Sequence, residues 1–175
     1  MKKVLIAVAA LAISSVAVAT EDSIVVSYVD AQTTGLDATG FGVTATLSDF
    51  VLSVDIAEDA GDKAAYGTSM DYEVRNFSVG YQFHPTENIG VYPLVGMTEV
   101  TYDLEIEKAF CNHYYSNGTC KVWESATNEG GGTEVLVGLG IRYSLLGKFP
   151  IDLQIKQTLG DAEVMTASAG IGYNF

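Results

Sequence analysis

The sequence is short of positive charge. Nine lysines and arginines stand against 22 aspartates and glutamates, and two of the nine, Lys2 and Lys3, lie at the very start. Residues 20–175 therefore hold seven basic against 22 acidic side chains, a net charge of −15. Nucleic acid requires a basic footprint, so this balance excludes it as a partner. An anionic surface would be met only through bridging divalent cations, which carboxylate oxygens bind. Histidine is scarce as well, with only His84 and His113, which leaves little material for an activated nucleophile. Beyond the N-terminus no apolar run approaches the roughly 18 residues of a membrane-spanning helix. Convincing helical stripes hardly occur anywhere.

The first residues, MKKVLIAVAALAISSVAVA, combine a positive start, an uncharged apolar run and a small-x-small ending at Ala17-Val18-Ala19. That order is the pattern of a secretory signal peptide. Residues 1–19 are expected to be removed, leaving residues 20–175 as one domain; a retained helical anchor is the alternative. The lysine pair and alanine-rich core are bacterial in style, which points to periplasm, outer membrane or medium.

What fills the rest is alternation. In residues 135–145, Val135, Val137, Leu139, Ile141, Tyr143 and Leu145 share one face, against Leu136, Gly138, Gly140, Arg142 and Ser144. Phe149, Ile151, Leu153 and Ile155 oppose Asp152, Gln154 and Lys156 in the next segment. The period of two predicts strands. The same reading applies to TGFGVTATL, FVLSVDI and NFSVGYQF, and to residues 165–175. It is weaker over 23–33. Along 89–106 the phase changes: Ile89, Val91 and Val95 are odd-numbered, but Val100, Tyr102 and Leu104 are even. A β-bulge is the expected cause. The count is eight strands, joined alternately by short turns (Ser48-Asp49, HPTEN, 146–148) and longer connections, of which 107–132 is the longest.

The apolar faces carry the large residues, with aromatics near the short turns: Phe50, Tyr81, Phe83, Tyr143, Phe149, Tyr173 and Phe175. The opposite faces are mostly glycine, serine, threonine, asparagine and glutamine. Small and polar inside with large and apolar outside is the pattern of a membrane barrel, and closure satisfies every backbone group in lipid. We therefore expect an all-β fold, an eight-stranded antiparallel up-and-down transmembrane β-barrel. Pairing Leu145 with Phe149 across the short turn sets Arg142 opposite Asp152 on the interior face. Two solvated charges on a soluble sheet are the plainer alternative.

A terminal Phe175 with Tyr173 and Ile171 at alternate positions resembles the C-terminal signature of bacterial outer-membrane barrels. With the leader, eight strands, short turns at one end and longer loops at the other, the chain resembles the small OmpX/Ail and OmpA-type barrel families. The resemblance implies location in the bacterial outer membrane among phospholipid and lipopolysaccharide, recognition of the last strand by the assembly machinery, and a monomer. No periplasmic peptidoglycan-binding domain is expected after the barrel, so the resemblance is more to OmpX than to full-length OmpA.

Cys111 and Cys120 lie in the longest connection. In an exported protein an oxidised pair is the default; a metal site with His113, or free thiols, are the alternatives. The sequon Asn117-Gly118-Thr119 reads as a turn. Tyr114, Tyr115 and Trp123 stand around the cysteines, and exposed aromatics on a clipped loop suit a surface ligand; packing on one another, or lying near headgroups, is the plain alternative. Structural support or adhesion through 107–132 is thus the leading role. A narrow pore is the second, with Glu134, Arg142, Asp152, Lys156, Gln82 and Gln154 as lumen residues and many lumen glycines. A lipid A-modifying enzyme is the third, but the His-x-Ser spacing of lipid A deacylases is absent. No enzyme and no cofactor are expected. The acidic clusters at 58–62 and 103–107 read as solvated strand ends, with a calcium site as the alternative.

Overall fold

A computed structural model of the chain describes residues 22–33, 36–60, 68–116, 118–161 and 163–175. The expected leader, 1–19, lies outside the described residues. Nine strand segments follow in order: β1 (Ser23–Thr33), β2 (Leu36–Leu47), β3 (Phe50–Ala60), β4 (Thr68–Tyr81), β5 (Phe83–Thr86), β6 (Ile89–Tyr114), β7 (Cys120–Leu145), β8 (Phe149–Thr158) and β9 (Met165–Asn174). β5 continues β4 beyond Gln82, since both lie along β6, Gly80 opposite Leu94 and Phe83 opposite Val91. The sheet therefore has eight staves. Each pairs antiparallel with its sequence neighbour, and β1 pairs with β9 from Ser23–Asn174 to Gln32–Met165, closing the barrel.

Strand parity decides which side chains face in. Leu153, Ile155, Val135 and Met97 point outward and are 54%, 61%, 53% and 57% exposed, while Asp152, Gln154 and Lys156 between them are buried. In water each such apolar side chain would forgo about 1.5–3 kcal/mol of burial, so the outward face calls for an apolar solvent. At the short-turn rim the aromatics meet edge to face. Phe50, Tyr81 and Phe83 are stacked at centroid distances of 5.6 and 5.2 Å, and Phe149, Tyr173 and Phe175 at 5.9 and 5.5 Å. The turns there are tight. Leu146 and Gly147 both have positive φ, 53° and 71°, in the three-residue connection 146–148 between Leu145 and Phe149, where Lys148 N donates to Leu145 O at 3.2 Å.

Three expectations need correction. First, no bulge interrupts β6 between Ile89 and Ile106, where pairing with β7 is continuous. The polarity reverses instead of the backbone. Up to Met97 the outward positions are apolar, with Tyr92 and Leu94 inside; from Glu99 upward Glu99, Asp103 and Glu105 take the outward positions, and Val100 turns inward. It joins Val29, Ala57, Tyr72, Val74 and Val164 in an apolar core inside the barrel. The barrel thus extends beyond its apolar belt and there becomes an ordinary water-facing barrel. Second, 107–132 is not a loop. β6 and β7 each run 26 residues and form a long hairpin, with register shifts near Ile106–Phe110 and Cys111–Tyr114. Third, His84 lies in β5; the turn of HPTEN is Glu87-Asn88.

Candidate functional site: a filled lumen beneath a tied hairpin

β7 and β8 pair with Leu145 opposite Phe149, Tyr143 opposite Ile151 and Arg142 opposite Asp152. Arg142 Nε and Nη2 lie 2.9 and 2.7 Å from Asp152 Oδ2. The other oxygen, Oδ1, accepts from Tyr92 Oη at 2.5 Å and Gln154 Nε2 at 2.8 Å. Arg142 also donates to Ser23 Oγ at 2.8 Å and to Thr46. One level higher, Lys156 Nζ donates to Asp55 and, at 2.9 Å, to Ser53 Oγ. Gln154 and Thr44 link the two levels, with Gln154 Nε2 donating to Thr44 Oγ1 at 2.8 Å and Thr44 Oγ1 to Ser53 Oγ at 3.1 Å.

A buried ion costs several kcal/mol of desolvation unless it is paired and hydrogen-bonded. Here two cations face two carboxylates, and the neutral side chains Tyr92, Gln154, Ser23, Thr46 and Ser53 take up further donors and acceptors. Gln82 and Glu134, expected in this group, stand at its ends. Gln82 Nε2 is 3.3 Å from His84 Nε2 at the short-turn mouth. Glu134 pairs in register with Thr98 and lies against Gly160. Sequence reasoning missed Asp55 and Tyr92 as members. Strand parity was the available signal for Asp55, which shares the polar face of its strand with Ser53.

The lumen glycines do not mark a water path. A Cβ at Gly140 would sit 2.2 Å from the Tyr92 ring, and one at Gly42 2.3 Å from Asp55 Oδ1. They are the spaces into which larger neighbours fold. Below Arg142 a polar vestibule of about 570 Å³ opens at the short-turn end, lined by Gln82, His84, Glu87, Arg142, Lys148 and Asn174 among others. His84 Nε2 lies 3.4 Å from Asp49 Oδ1.

At the far end Cys111 and Cys120 form a disulfide with a Cα separation of 5.7 Å. That accounts for both cysteines and overturns the free-thiol and zinc-ligand alternatives for them. At the tip Tyr115 N donates to Thr119 O at 2.8 Å and Gly118 N to Tyr115 O at 2.9 Å, with Gly118 at φ 83°. Tyr115 is exposed. The side chains of Tyr114 and Trp123 lie outside the described residues, though their backbones pair with Cys120 and Cys111. Ile171, Tyr173 and Phe175 all point outward, 64%, 44% and 58% exposed.

No family model and no curated protein sequence matches the chain. Solved structures do. Ail, the attachment invasion locus protein of Yersinia pestis, superposes with a TM-score of 0.63 at 16% identity, covering 89% of this chain and 97% of that one. The fold is that of the small bacterial outer-membrane barrels. OprG of Pseudomonas aeruginosa superposes with a TM-score of 0.55 at 12% identity, covering 89% and 96%. The N-terminal barrel domain of Pseudomonas aeruginosa OprF does so at 0.53 and 16%, covering 87% and 97%.

Proposed function

We propose that the chain is an outer-membrane barrel whose task is to hold the β6–β7 hairpin outside the cell as a surface-interaction arm. The observation that carries this reading is the hairpin itself, two 26-residue strands tied near their tip by Cys111–Cys120 and standing on a barrel whose interior is filled. Residues 1–19 are the export signal, and Ile171, Tyr173 and Phe175 offer an outward apolar stripe to the assembly machinery. The barrel works as a monomer, since its apolar belt is matched by lipid.

One matched structure of Ail was solved with the heparin analogue sucrose octasulfate. A sulfated glycan suits this chain poorly. Over residues 99–133 six acidic residues face two lysines, so the arm favours a cationic or neutral protein surface. Tyr114, Tyr115 and Trp123 are its candidate anchors. Deleting residues 112–119 is expected to abolish binding of expressing cells to a host or matrix surface while leaving the barrel in the outer membrane. Undiminished binding by the deletion variant would remove the adhesive role.

The pore and the enzyme are the weaker readings. Tyr92 and the Arg142–Asp152 pair fill the lumen where a pore would need space. His84 is near Asp49 but hydrogen-bonds no serine among the described residues, so no nucleophile stands ready beside it.

A further inference from the structure

We propose that the short-turn rim carries a site for a divalent transition-metal ion of the zinc class, with His84 Nε2, Asp49 Oδ1 and the side-chain oxygen of Gln82 as its protein ligands. The site stands on the geometry of the rim and does not depend on what the hairpin binds.

Asp49 sits in the turn between β2 and β3, and Gln82 and His84 flank Phe83 where β4 passes into β5. Parity sends Gln82 and His84 to the vestibule, while Phe83 joins the outward aromatics. Gln82 N donates to Asp49 O at 2.7 Å, which draws the turn against that strand. His84 Nε2 then lies 3.4 Å from Asp49 Oδ1 and 3.3 Å from Gln82 Nε2. One ring nitrogen cannot serve both neighbours. As an N–H it can give to the carboxylate, but it then meets the Gln82 amide donor against donor. As a lone pair it can accept from Gln82, but it then faces a carboxylate lone pair with no proton between them. Gln82 Oε1 meanwhile is buried without a hydrogen-bond partner, a state that calls for an explanation.

A half-turn of the amide and a metal ion among the three groups settle every one of these contacts. Oε1 then replaces Nε2 beside His84, and three lone pairs converge on one point. The spacing suits such an ion: donors about 2.0–2.1 Å from a tetrahedral zinc are about 3.3 Å from one another. Imidazole nitrogen beside carboxylate and amide oxygen selects zinc and its neighbours over calcium and magnesium, which take oxygen alone. Asp49 is aimed in advance, because its other oxygen, Oδ2, accepts from Tyr81 Oη at 3.0 Å; Tyr81 is thus a positioning residue. Among the described residues no three of His, Cys, Asp and Glu gather into a metal-holding group, so the amide is the third donor and water completes the set. His84 and Asp49 are 39% and 40% exposed, and the vestibule beside His84 gives the ion an aqueous way in. The same half-turn with a proton on Nε2 would make an ordinary ion pair, and the test separates the two.

The test takes untagged barrel purified in mild detergent, strips it with a chelator and titrates it with zinc chloride. Zinc retained per folded barrel is counted by elemental analysis, and the imidazole nitrogen signals are followed by NMR. His84 and His113 are the only histidines, so His84→Ala assigns those signals. Wild type is expected to bind a single zinc ion and to shift the Nε2 signal of His84. His84→Ala and Asp49→Asn are each expected to weaken binding at least about tenfold, and Tyr81→Phe about tenfold. His113→Ala is expected to bind as wild type does. Folding of each variant is checked by the mobility difference of boiled and unboiled samples. Absence of zinc from wild type, or zinc binding that survives His84→Ala, would overturn the proposal. So would a His84 signal that moves with pH but not with zinc, the mark of the ordinary ion pair. If His84→Ala does not fold, Asp49→Asn and the wild-type signals decide.

Discussion

Asp152 shows what a single interior residue has to satisfy. Both its oxygens are engaged, by Arg142 on one side and by Tyr92 and Gln154 on the other. Removing it would strand the Arg142 guanidinium in a buried site. Asp152→Ala is expected to cost about 3–5 kcal/mol, read as a lower urea midpoint for unfolding from lipid vesicles. An unchanged midpoint would mean that water reaches Arg142 freely. Gly140 makes the complementary case, because Tyr92 fills its missing side chain. Gly140→Ala is expected to cost about 1–3 kcal/mol by overpacking, and Tyr92→Leu in the same chain to recover part of that loss. At this scale the sequence was legible in part. Arg142 and Asp152 could be paired from parity and the turn alone, because one register matched all the apolar positions. Tyr92 could not, because parity gives a face and not the neighbour across the lumen.

Among elements, the hairpin is where reading the sequence fell short. Residues 107–132 lack a sustained apolar alternation, and a ribbon with water on both faces needs none, so it reads as a loop. The apparent phase change in β6 misled in a related way. A change in which face is apolar resembles a change in register, and only the pairing with β4 and β7 separates them. The hairpin's base carries a cost of its own. Asp71, Asp103 and Glu129 stand directly opposite one another across β4, β6 and β7, and like charges so placed repel. Asp103→Asn is therefore expected to stabilise the protein by about 0.2–1 kcal/mol. The gain should shrink as salt is added, because exposed charges are screened. Urea midpoints measured at low and high salt check both the sign and the trend.

For the whole molecule, closure of the barrel and filling of its interior lead to one electrical expectation. Wild-type protein in a planar bilayer is expected to pass no steady current; stable unit conductance would show that the plug yields. The overall architecture was the most legible feature of all, since eight segments of period two with apolar residues on the wrong side for water admit few solutions. The reversal of polarity along β6 carries one more consequence. A barrel with a uniform exterior could ride higher or lower in the bilayer at little cost. This one has a waterline. Sinking by two residues along β6 would drag Glu99 below the surface, and on β4 the Arg75–Glu73 pair with it; rising by two would lift Met97 and Phe77 into water. The draught is fixed from both directions, and with it the height at which the hairpin is flown.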